Sequence, residues 1–100
     1  MKANEIPENL KNAIESVRHP AIDFSLVKLG IIREYHFEGN NVSVTFAFPF
    51  PNIPIKDMLV GSVAGPVKSL GYSMDYKIDV MTDQERNDFM QLEQAGWKGV

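Results

Sequence analysis

From Asn41 to Phe50 the chain alternates without interruption: Val42, Val44, Phe46, Phe48 and Phe50 are apolar, and Asn41, Ser43, Thr45, Ala47 and Pro49 separate them. A period of two puts those apolar side chains on one face of a pleated strand, whereas on a helix they would scatter around the axis. The spacing therefore predicts a strand with one buried face, and the rest of the chain must supply the cover. Pro49 has no amide hydrogen to offer a neighbour, so pairing is expected to stop there or to lie at an edge.

The flanking segments read as the partners of that strand. Glu38-Gly39-Asn40-Asn41 is a turn cluster, suited to a hairpin. It joins the strand to a preceding one over Ile31 to Phe37, with Ile31, Tyr35 and Phe37 expected on one face. Further on, Met74, Tyr76, Ile78 and Val80 alternate with Asp75, Lys77 and Asp79. That pattern predicts a third strand with a wet face.

Three helices complete the pattern. Leu10, Ala13, Ile14 and Val17 recur at helical spacing, with Asn4 as the expected N-cap and Pro7 in the first turn. His19-Pro20 ends that helix, because the residue before proline is driven out of the α region. Ile22 to Leu29 has a mixed period and reads as a turn packed on the core. Leu59, Val63, Val67 and Leu70 mark a second helix between Ile55 and Gly71. Gly65-Pro66 within it predicts a kink or a split, since an interior proline costs about 3 kcal/mol. Thr82-Asp83-Gln84-Glu85 is a capping-box signature. It opens a last helix carrying Phe89, Leu92 and Trp97, which read either as a docking stripe for another chain or, more simply, with Trp97 buried against the sheet.

The order is thus α-β-β-α-β-α, an α+β fold with a small three-stranded mixed sheet covered by helices. Strands one and two pair antiparallel through the hairpin. A right-handed crossover through the second helix makes strands two and three parallel. One hundred residues with no repeat or linker suit one domain over residues 1–100.

Composition removes several classes of function. Ten Lys and Arg are scattered singly and the net charge is −3, so no basic face is available for nucleic acid. There is no cysteine, which excludes disulfides, thiolate nucleophiles and cysteine-ligated metal on this chain alone. No phosphate loop, metalloprotease helix or dinucleotide fingerprint occurs, and no serine has a diagnostic motif around it, so enzyme activity is not expected. Met1-Lys2-Ala3-Asn4-Glu5 does not open an apolar signal segment. No stretch approaches the roughly 20 apolar residues of a membrane span, so a cytoplasmic protein is expected.

His19 and His36 are the only histidines. With Glu34, Asp23 or Asp75 they offer donors for a divalent metal, which makes a metal- or small-ligand-binding module one alternative. They fall on different elements without i, i+4 pairing, and ordinary surface histidines are the simpler reading.

Taken in order, the residues resemble a known family. His19-Pro20-Ala21-Ile22 follows the first helix. Then come Ser25-Leu26-Val27-Lys28-Leu29-Gly30-Ile31-Ile32, the alternating strand, and Pro51-Asn52-Ile53-Pro54 leading into a helix. This arrangement is similar to the iron–sulfur cluster assembly domain family, which includes SufT-like and PaaD-like proteins and the added domain of Mrp/ApbC-type ATPases. Val27 with Leu29-Gly30 matches the family's strand entry. Pro51 and Pro54 match the prolines of its Pro-x-Cys-Pro loop. Three departures stand beside the matches. Ile53 occupies the cysteine position, Pro49 and Phe50 stand where threonine is usual, and His19-Pro20-Ala21 replaces Asp-Pro-Glu.

The resemblance implies a cysteine-less member of the family, without a cofactor of its own. It would act as a non-catalytic adaptor that meets an iron–sulfur assembly or client protein through Phe50, Pro51, Asn52, Ile53 and Pro54. The bland alternative for this loop is a tight turn whose prolines set geometry while Ile53 tops the core. A self-associating structural domain is the other alternative, because a small sheet with a free edge can pair across a homodimer.

Overall fold

One mixed sheet organises the computed structural model, which describes residues 6–98. Its strands are β1 (Ile32–Glu38), β2 (Asn41–Phe48) and β3 (Ser73–Val80), in the spatial order β1-β2-β3. The helices are α1 (Glu8–Glu15), α2 (Lys56–Ser69) and α3 (Asp83–Gly96), so the chain runs α-β-β-α-β-α. β1 pairs antiparallel with β2 through a two-residue turn, Gly39-Asn40, closed by the Glu38 and Asn41 pair. β2 pairs in parallel with β3 from Asn41 opposite Ser73 to Phe48 opposite Val80. This α+β architecture is the one the alternation and spacing predict.

β2 supplies the centre of the core. Val42, Val44, Phe46 and Phe48 are all buried, and the Phe46 and Phe48 rings lie nearly parallel with centroids 6.2 Å apart. Leu10 and Ile14 from α1 and Leu59, Val63 and Val67 from α2 join the same cluster. Ile22, Leu26 and Leu29 from the turn segment before β1 complete it, as their mixed period suggests.

Two features of the strands depart from simple alternation. The β1–β2 register shifts between Ile32, opposite Phe46, and Glu34, opposite Thr45. Such a bulge inserts a residue and changes which side chains share a face. Ile32 thereby joins Tyr35 and Phe37 on the side of Phe46, while Ile31 is buried just before the strand. The second departure is that β2 is not wet on its other side. Thr45 and Ala47 are buried as well.

While Thr45 lies between its strand partners Glu34 and Lys77, Arg33, at the bulge, supplies the cover at the level of Ala47. Its Nη1 donates to Asp79 Oδ2 at 2.9 Å, and Asp79 is the β3 residue opposite Ala47. Its Nε and Nη2 donate to the two carboxylate oxygens of Glu85 at 3.0 and 2.9 Å. A side chain that starts on β1 and ends on β3 must cross the central strand. The apolar body of the arginine thus lies over β2 while its head stays hydrogen-bonded.

The helices also differ in detail from expectation. Asn4 lies outside the described residues; α1 starts at Glu8 behind Pro7 and ends at Glu15. α2 runs through Pro66 as one helix, so it is not split there. Pro66 and Gly65 sit on the exposed side within the last turn, where water can satisfy the carbonyl that loses its partner. Leu70 is the exposed C-cap rather than part of the buried stripe. Gly71, at φ 93°, then closes the helix by a Schellman arrangement, with Tyr72 N–H on Val67 O at 3.3 Å and Gly71 N–H on Lys68 O at 2.9 Å. α3 opens with the expected capping box, Glu85 N–H on Thr82 Oγ1 at 3.1 Å and Thr82 N–H on Glu85 Oε1 at 2.8 Å.

Phe46 is fully buried at the middle of the central strand, so Phe46→Ala is expected to cost about 3–5 kcal/mol. Urea denaturation followed by circular dichroism measures it, as a midpoint shift at unchanged slope.

Candidate functional site

The chain leaves the sheet at Phe48 and enters α2 at Lys56, and five of the seven residues between form one wall of the main cavity. β2 ends at Phe48, so Pro49 ends the pairing as expected, but Phe50 does not continue the buried row. It lies beyond the strand and is 53% exposed. Arg86 of α3 holds this corner in place. Its Nε donates to Pro49 O at 2.9 Å, its Nη1 pairs with Asp83 at 3.0 Å, and its guanidinium carbon lies 5.7 Å from the Phe50 ring centroid. A cation over an aromatic face steadies an exposed ring without covering it. Pro51, Asn52 and Pro54 are exposed, and half-buried Ile53 packs against the core. The Ile53 carbonyl accepts from Lys56 N–H at 3.1 Å, which starts the turn into α2.

The opposite wall is α3. Its C-terminal end is stitched to the segment after α1: Asp23 N–H donates to Gly96 O at 2.8 Å and Lys98 N–H to Ala21 O at 3.1 Å. A Cβ at position 96 would lie 2.6 Å from the Phe24 ring and 3.2 Å from Asp23 N, so only glycine permits this approach. The stitching puts Met90, Glu93 and Trp97 on the groove side of α3. Trp97 does not bury against the sheet as its position suggests. It is 51% exposed, because the Ile22–Trp97 bridge fixes its backbone at the rim.

Between these walls lies a cavity of about 400 Å³ with Ile22, Ile31, Phe48, Leu59 and Phe89 among its lining. Phe50, Ile53 and Pro54 line it from the loop side. Pro51 and Asn52 do not; they border a smaller hollow of about 230 Å³ with Ile53, Pro54 and Lys56. Among the described residues, the ionisable side chains in the main groove are His19 and Glu93. Sequence reasoning missed His19, Met90, Glu93 and Trp97 as members of one site. The signal available for three of them was the i, i+3, i+7 spacing of 90, 93 and 97 on one helical face.

His19 is a correction in its own right. It is only 7% exposed, not a surface residue. Its Nδ1 accepts from Ala21 N–H at 3.0 Å, which leaves the proton of the neutral ring on Nε2. Burial, and then the positive charge of Lys98, pull its pKa below the usual 6.5. His36 is on β1, exposed, with Nε2 3.1 Å from Glu34 Oε1. It lines other hollows than His19 does. The two histidines therefore do not share a site. Among the described residues no group of three His, Cys, Asp or Glu side chains is placed to hold a metal. The loop offers a hydrocarbon at position 53 and the chain has no thiol, so the donor set does not fit an iron–sulfur cluster.

Fold and corner together define a small α+β scaffold with an apolar cleft where the central strand hands over to a helix. A family model described as iron–sulfur cluster assembly protein matches residues 7–80, which take in α1, the whole sheet, the loop and α2. The chain belongs to the iron–sulfur cluster assembly protein family. No curated protein matches it. No helix among the described residues is long and apolar enough to cross a membrane.

The lowered pKa of His19 has a definite sign in stability. The folded chain favours the neutral ring, so this contribution is whole above the unfolded value near 6.5 and is lost as pH falls below it. Denaturation midpoints taken from pH 7.5 to 5.5 should decline, and the decline should flatten in His19→Asn. NMR titration of the His19 ring should return a value under 6.5.

Proposed function

We propose that this chain is a non-catalytic accessory protein of cytoplasmic iron–sulfur cluster assembly. It docks an assembly or client protein in the apolar groove and holds no cluster itself. The observation that carries the reading is the place of that groove. It opens at the loop where the family carries its cysteine, and here the same corner presents Phe50 and Ile53 with Trp97 across the gap.

The physical case rests on what the cleft can recognise. Exposed aromatic side chains around an apolar floor are the anchors that dominate protein interfaces, because they bury large areas with few rotamers to freeze. The partner accordingly presents an apolar segment. Among the described residues Glu93 is the one carboxylate in the groove, and it favours a basic residue beside that segment. The exchange of a thiolate for a hydrocarbon shifts the loop from metal ligation to contact. The partner brings whatever cluster is being built or received.

A photoreactive residue at exposed Pro51, expressed in cells that make iron–sulfur proteins, tests this reading. Crosslinks to iron–sulfur assembly or client proteins are expected. Phe50→Asp should reduce them about tenfold or more, the loss of about 1.4 kcal/mol or more typical of an aromatic anchor. Crosslinks only to proteins unconnected with clusters, or crosslinks indifferent to Phe50→Asp, would overturn it. Phe50 lies outside the core, so the variant is expected to fold, and circular dichroism checks that it does.

A further inference from the structure

β3 ends the sheet, and its outer side carries an apolar row that no helix covers. Tyr76, Ile78 and Val80 are 54%, 38% and 45% exposed, although they share a sheet face with the buried Val44, Phe46 and Phe48 opposite them. α2 and α3 leave this margin open. The direction of the backbone groups follows from the two ends of the strand. Ser73 N–H donates to Asn40 O at 3.0 Å and Met81 N–H to Phe48 O at 2.8 Å, both toward β2. Backbone groups alternate sides along a strand, so the N–H and C=O of Met74, Tyr76, Ile78 and Val80 point outward, without partners among the described residues.

We propose that two copies of this chain join at β3, antiparallel, with Tyr76 opposite the Tyr76 of the second copy, forming a continuous six-stranded sheet. Charge selects both the occupant and the register. Asp75, Lys77 and Asp79 alternate on the other face of β3. A symmetric pairing centred on Lys77 would set Lys77 against Lys77 and Asp75 against Asp79, both repulsive. A pairing centred on Ile78 would use Asp79, which Arg33 already holds at 2.9 Å, and would bring Val80 and the start of α3 into the joint. Centring on Tyr76 sets Asp75 against Lys77 twice, once on each side of the axis. It also places Met74 against Ile78 on the apolar face. Lys77 makes no ion pair within its own chain among the described residues, so its charge is available to the second copy. The joint lies at the sheet edge and leaves the groove beside Phe50 free. It therefore stands or falls separately from the docking reading.

Sedimentation equilibrium of the full chain, with charge variants and single-cysteine variants, tests the pairing. The wild type should be dimeric. Lys77→Glu and Asp75→Lys should each weaken the dimer about tenfold or more, since each sets like charges opposite in two places. An equimolar mixture of the two variants should recover the dimer. In the mixed pair both acidic side chains lie on one copy and both lysines on the other, so opposite charges meet on each side of the axis. The chain has no cysteine of its own, so Tyr76→Cys reports the register cleanly. Hydrogen-bonded antiparallel partners stand about 5.5 Å apart at Cα, within disulfide reach, so Tyr76→Cys should crosslink to its mate under mild oxidation. Lys77→Cys should not. A wild type that stays monomeric overturns the proposal and leaves the edge for a strand from another protein. A dimer that crosslinks through Lys77→Cys but not Tyr76→Cys, or that is indifferent to both charge variants, overturns it equally.

Discussion

Burial of the second half of β2 from both sides is the constraint on which the other elements depend. On one side Phe46 and Phe48 draw α1, α2 and the turn segment onto the sheet. On the other, an arginine crosses from β1 at the level of Ala47 to reach Asp79 and Glu85, and Thr45 lies between its strand partners Glu34 and Lys77. The two covers differ in kind. The first is an area effect without direction, and the second works only with the fork geometry of a guanidinium on a carboxylate. Glu85 also caps α3 through Thr82, so one carboxylate sets both the cross-sheet contact and the start of the last helix. Arg33 and the cap together hold its pKa below the ordinary carboxylate value.

That arrangement explains why the cleft sits where it does. Phe48 is the last residue of the central strand, and the chain must turn away from it because Pro49 cannot go on pairing. α3, fixed at its first turn by Glu85 and at its end by the Gly96 carbonyl, passes beside the same corner without closing it. The opening is thus a by-product of two anchored ends. Its lining is apolar because core residues such as Phe48 and Leu59 form its floor.

Most of the architecture was legible from local patterns, since those patterns and the fold agree. The alternation from Val42 to Phe48, the capping box at Thr82 and the turn cluster before Asn41 each state a backbone geometry in a few neighbouring residues. Most of the misses depend on contacts distant in sequence. The bulge at Arg33 exists because of partners 46 and 52 positions away. Burial of His19 depends on Ala21 and on α3 folding back toward it. Trp97 reads as a core residue by type, yet a backbone bridge to Ile22 fixes it at the rim. Pro66 is tolerated because it falls on the solvent side near a helix end. Of the cleft, the loop half was visible through its prolines, and the α3 half was not, because no local signal says which helix returns to which loop.

The family match stops at residue 80, while one wall of the cleft, with Phe89, Met90, Glu93 and Trp97, comes from residues after it. The cleft is consequently built modularly along the chain. The shared stretch builds the frame and one jaw, and the appended helix brings the other. Chains alike as far as the end of β3 can present mouths of different width and chemistry at the same corner, with substitutions at 90, 93 and 97 altering its lining while the sheet beneath is untouched.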